Sequence, residues 1–138
     1  MQASENAVAL ISRILMCLLF VLGGWGKLTG AAATQAMFAK QGLPMVEAAW
    51  ALAVCVELGG GLALLIGLFT RPIALILAVW CVITALIAHT NLADRGQEIN
   101  FFKNMAMTGG LLYVVLFGAR AWSVDAWRLG RRRMVAAE

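Results

Sequence analysis

Glu57 stands near the centre of an apolar run, Val46 to Arg71, that reads VEAAWALAVCVELGGGLALLIGLFTR. A carboxylate held at mid-depth in hydrocarbon is costly, by several kcal/mol, unless it is protonated, paired or watered, and such a group is a functional candidate by default. Ionised beside a cation, Glu57 is a structural clamp. Protonated, it is a hydrogen-bond donor or a proton-relay group. Both readings stay open from the residues alone. Arg13 and Lys27 lie in an earlier apolar run and share one helical face with Cys17 and Gly24. Arg13 is the obvious counter-charge for Glu57. Lys27, near the end of its run, either snorkels to the interface or joins a pocket. His89 closes a third apolar run, and Lys103 and Asn104 open a fourth. The six residues Arg13, Lys27, Glu57, His89, Lys103 and Asn104 are therefore the ligand-pocket candidates, with a polar mouth above Glu57. None is assigned a catalytic role.

Other chemistries find no support. One histidine and no cysteine pair at ligand spacing leave zinc short of its usual four ligands, so no metal is expected. Cys17, Cys55 and Cys81 each sit in an apolar stretch and form no C-x-x-C, which reads as small apolar filler. The glycines of GGWG at 23–26 and ELGGG at 57–61 lie inside apolar helices and suit close helix packing rather than phosphate binding. The net charge of +4 includes Arg131, Arg132 and Arg133 in a tail. With no folded basic domain to present it, that tail is a cytoplasmic anchor, and no nucleic-acid partner is expected.

The elements that must position these residues are membrane helices. Of 138 residues, 62% are hydrophobic and only 13% charged, more apolar surface than a soluble domain of this size can bury. Four runs are long enough to cross, or nearly cross, about 30 Å of hydrocarbon: 7–28, 46–69, 72–89 and 101–117. Between the first two, residues 33–40 suit a short helix lying at the interface, ended by Gly42-Leu43-Pro44. Residues 90–100, TNLADRGQEIN, read as a loop. Residues 118–138 read as an interfacial helix and basic tail. The fold class is all-α: a four-helix transmembrane bundle in the lipid bilayer, one domain over 1–138. Cation placement puts both termini on the cytoplasmic side of the membrane. The tryptophans fall near the two interfaces, except Trp80, which lies mid-span with no evident reason. The glycine faces could serve the bundle itself or a homo-oligomer.

The order of these features resembles the DoxX family of small four-span bacterial inner-membrane proteins. The resemblance rests on Arg13 with GGWGKL at 23–28, VELGGGLALLIGLFTRPIAL at 56–75, and His89. It continues through NFFKNMAMTGGLLYVVLFG at 100–118 to Ser123-Val124-Asp125. It implies an accessory or quinone-associated component of a membrane redox system, working with a membrane redox partner protein. It also implies an alternative, a non-catalytic scaffold or assembly factor for a partner protein. Arg13, Glu57, His89, Lys103 and Asn104 match the family's recurring polar positions.

Overall fold

A computed structural model describes residues 2–135, and the side chains of residues 3–131. The basic-tail side chains of Arg132 and Arg133 lie outside that set. The elements are α1 (Gln2–Thr29), α2 (Ala31–Lys40), α3 (Val46–Val54), a π-helical turn (Cys55–Gly59), α4 (Gly60–Ile66), α5 (Thr70–Ala88), α6 (Arg95–Phe117) and α7 (Val124–Val135). The described residues contain helices and no strand. Helix α3, the π turn and α4 form one continuous rod. Four helices are long and apolar enough to cross a membrane: Ala3–Thr29, Val46–Ile66, Thr70–Ala88 and Arg95–Phe117.

Outward faces carry Leu15, Leu22, Leu62, Ile76, Leu86, Leu112 and Leu116, all exposed. So much uncovered aliphatic surface has lipid as its natural solvent. The buried core is correspondingly thin: Cys17, Phe20, Leu64, Ala74, Leu77, Ala78, Cys81 and Leu111. Helix α5 lies along α6, while α1 lies along the π turn and α4. The second of these contacts is close because of Gly24. A β-carbon there would stand 2.5 Å from the backbone nitrogen of Leu58.

Ends and turns follow local chemistry. Helix α4 stops in a Schellman motif: Leu68 N–H donates to the Ala63 carbonyl at 2.9 Å and Gly67 N–H to that of Leu64 at 3.1 Å. Gly67 takes φ +71°, and a β-carbon there would run into Arg13 and Ser123. Helix α5 starts with Pro72 in its first turn, where a missing N–H does no harm. Its first donors are capped from far along the chain. Asp125 accepts from Phe69 N–H at 2.9 Å and Thr70 N–H at 2.7 Å. Asp125 N–H in turn donates to the Gly67 carbonyl at 3.0 Å, so α7 is stapled to the α4–α5 turn. Burial alone would raise the Asp125 pKa. The Thr70 N–H, the Phe69 N–H and the charge of Arg128 outweigh it and hold the carboxyl below its usual range.

Several boundaries differ from the sequence reading, two of them for a clear local reason. Residues 95–100 are helical, not loop, so α6 begins six residues before the expected Phe101. Asp94 is the reason: its side chain accepts from Gln97 N–H at 2.9 Å, an N-cap placed ahead of Arg95. The second span ends at Ile66 rather than at residue 69, because Gly67 turns the chain. The interfacial helix between spans 1 and 2 is present as α2.

Candidate functional site

The π turn carries Glu57. Gly60 N–H reaches back to the Cys55 carbonyl, one residue further than an α-helix allows. Such a bulge widens the helix by one residue and is frequent at functional sites. Here it brings the Leu58 backbone against Gly24 of α1, and Glu57 is buried at 8% exposure. Lys27 meets it from the last turn of α1. Helical side chains lean toward the N-terminus, so a lysine at the end of a span points back into the bundle. Its Nζ lies 2.6 Å from Glu57 Oε2. The other oxygen, Oε1, accepts from the Trp80 indole N–H at 3.0 Å. Each carboxylate oxygen thus has a donor, which is what a buried charge requires. Gly23 leaves room for the pair, since a β-carbon there would stand 3.0 Å from Oε2. Trp50 donates its indole N–H to the Lys27 carbonyl at 2.8 Å and fixes the end of α1 to the second span.

This cluster lines a cavity of about 440 Å³. Leu19, Phe20, Met37, Phe38, Ala53 and Met107 supply apolar wall, and Gln41, Thr84, His89, Lys103 and Asn104 supply polar groups. Lys103 is exposed, so the polar groups run from the buried Glu57 to an open rim. Lys103 Nζ donates to Asn100 Oδ1 at 2.6 Å. Burial, reinforced by the charge of Lys103, lowers the His89 pKa below its ordinary value. The imidazole is therefore neutral near pH 7, with one donor and one acceptor nitrogen. A cavity of this size, mostly apolar with a few converging polar groups, has the character of a small-molecule site.

The DoxX family profile matches residues 8–90, well over half of the chain. The chain belongs to the DoxX family. It is 39% identical over 125 residues to the inner membrane protein YqjF of Escherichia coli (strain K12), covering 91% of this chain and 95% of that protein. It is 33% identical over 128 residues to the inner membrane protein YphA of the same organism, covering 89% and 91%. No solved structure matches the chain. With four apolar spans, this DoxX chain is an integral inner-membrane protein. Lys103 and Asn104 lie beyond the matched DoxX segment but line the same cavity as Lys27, Glu57 and His89.

Arg13 stands apart from that DoxX pocket. It was the expected counter-charge for Glu57, and the structure gives that role to Lys27. Fourteen residues of α1 separate the two cations, about 21 Å of helix. The antiparallel second span places Glu57 beside Lys27 and Leu65 beside Arg13. Arg13 is 2% exposed and donates to the Leu65 carbonyl at 3.4 Å and to the Trp122 carbonyl. It ties α1 to the end of α4 and to the segment before α7. Trp80, which sequence reading could not place, is the second partner of Glu57. Gln41 and Thr84 also join the cavity without a sequence signal that singled them out.

Proposed function

We propose that this DoxX-family protein binds a small amphipathic molecule of the quinone class and serves as an accessory component of a membrane redox system. The observation that carries the reading is the cluster of buried Glu57 with half-buried Lys27 and Trp80 at the inner end of a cavity about 440 Å³ in volume. Ligand pockets run from about 300 to 1,000 Å³. A quinone brings carbonyl acceptors on a flat ring and an apolar tail. The Lys103 ammonium, the Asn104 amide and the neutral His89 imidazole are donors suited to those carbonyls. Leu19, which lines the cavity and is also exposed on the lipid side, leaves a route by which a tail can reach the bilayer. Glu57 and Lys27 can hold or pass a proton at Oε2 between the cavity and the bundle.

The test is mass spectrometry of the organic extract of gently purified protein, wild type beside Glu57→Gln. A discrete quinone-like molecule is expected in the wild type and at least about tenfold less of it in the variant, because the amide weakens the charge-assisted contact with Lys27, worth roughly 1.5–3 kcal/mol, that shapes the inner end of the cavity. Bulk lipid alone in both samples overturns the binding reading. The cluster is then architectural, and the scaffold alternative takes its place.

We propose further that both termini face the cytoplasm. Arg71, Arg120 and Arg128 gather at the end of the bundle where α1 begins and α7 lies, and at the other end Asp94 and Glu98 offset Lys40, Arg95 and Lys103. The positive-inside rule then puts both termini in the cytoplasm and the cavity mouth on the far side. A periplasm-active phosphatase fused after residue 138 is expected to be silent. An active fusion reverses the assignment.

A further inference from the structure

We propose that the end of the bundle opposite the Glu57 cavity holds an anionic phospholipid by its phosphodiester group. A second cavity, about 660 Å³, lies there between the start of α5, the end of α6 and α7. Three guanidinium groups line it, from Arg71, Arg120 and Arg128, against the single carboxylate of Asp125. Both oxygens of that carboxylate are already taken by the Phe69 and Thr70 N–H groups. Arg120 is engaged too, with Glu5 at 2.8 Å. That leaves Arg71 and Arg128, neither of which forms an ion pair or donates a hydrogen bond to any described residue. Arg128 is held over the Phe69 ring at 5.1 Å. The Arg71 side chain runs past Gly118, where a β-carbon would stand 3.5 Å from its Nε.

The neighbours of these two forks identify the occupant. Phe69, Phe117 and Leu129 line the same cavity and are 58%, 60% and 60% exposed. Trp122 and Trp127, also exposed, mark this end as the headgroup level. Two guanidinium forks with open donors suit a phosphate bidentately. Exposed apolar side chains within the same cavity suit acyl chains and would be idle against a free phosphate. Basic pockets between membrane helices take anionic headgroups on this physics.

The experiment is native mass spectrometry of full-length protein recovered from vesicles of equal phosphatidylglycerol and phosphatidylcholine. Wild type is expected to retain phosphatidylglycerol in clear excess. Arg71→Gln and Arg128→Gln are each expected to reduce that excess about fivefold, as the surface attraction of one arginine predicts. Either variant alone therefore decides the matter. Arg95→Gln, at the other end of the bundle, is expected to change nothing. Equal retention of the two lipids by wild type overturns the proposal, as does an undiminished excess in either arginine variant or an equal loss in Arg95→Gln. Displacement of the bound lipid by glycerophosphoglycerol, which has the headgroup without the tails, would reassign the cavity to a soluble phosphodiester.

Discussion

Lys27→Met is expected to destabilise the bundle by about 3 kcal/mol, and Lys27→Met/Glu57→Leu to recover most of the loss. Breaking a buried ion pair from one side is costly because the remaining charge keeps its desolvation and loses its partner, typically about 3–5 kcal/mol. The lower end applies here, because the Lys27 side chain is still 25% accessible and water can reach the end of α1. Methionine keeps much of the lysine stem in place, so lost packing contributes little. After the single change Oε1 still has the Trp80 indole, but Oε2 has nothing. Removing Glu57 as well takes away the stranded charge, and leucine is at home among Phe20 and Ala53. Thermal unfolding of the three proteins in one detergent measures this. A single variant as stable as wild type would show that the Lys27 contact contributes nothing to holding the π turn, and the clamp reading would fall.

What the sequence could and could not show follows from the kind of information each feature needs. The four spans are legible because hydrocarbon thickness sets a length that no soluble helix requires. Glu57 is legible as an exception for the same reason. Its partner is not. Choosing between Arg13 and Lys27 depends on how α1 and the second span are set against each other along their axes. Nothing local to either residue encodes that offset. The lean of helical side chains toward the N-terminus would have favoured Lys27, since it turns a lysine at a span's end inward. The π turn leaves no mark in composition, because it is a matter of which carbonyl each N–H finds. Only the run Gly59-Gly60-Gly61 hints at an unusual backbone. The start of α6 was hidden by its charges. Asp94 with Gln97 three residues on is a capping pattern, but Gly96 and the flanking polar residues make it read as loop. Trp80 became meaningful only once Glu57 had a direction.

Gly24→Ala is expected to be among the most damaging single-methyl additions in the chain. The new β-carbon would stand 2.5 Å from Leu58 N, 2.8 Å from Leu58 Cβ and 2.9 Å from its Cα. Two of these atoms are backbone in the middle of a helical rod, so neither can step aside, and α1 must retreat by about 1 Å to reach ordinary contact. Overpacking of this kind is destabilising by about 1–3 kcal/mol. The effect also reaches the site. Lys27 lies three residues further along α1 from Gly24, so the retreat draws Nζ away from Glu57 and is expected to reduce ligand retention as well as stability. The neighbouring glycines calibrate it. At Gly23 the obstacle is Glu57 Oε2 at 3.0 Å, the far end of a side chain, which can yield. At Gly26 a β-carbon meets nothing within 4 Å, and alanine there is expected to be neutral or stabilising by up to about 1 kcal/mol through helix propensity. Thermal unfolding should therefore rank Gly26→Ala above Gly23→Ala and Gly24→Ala last. If Gly24→Ala unfolds no earlier than Gly26→Ala, α1 does not touch the π turn, and the geometry that joins Lys27 to Glu57 is wrong.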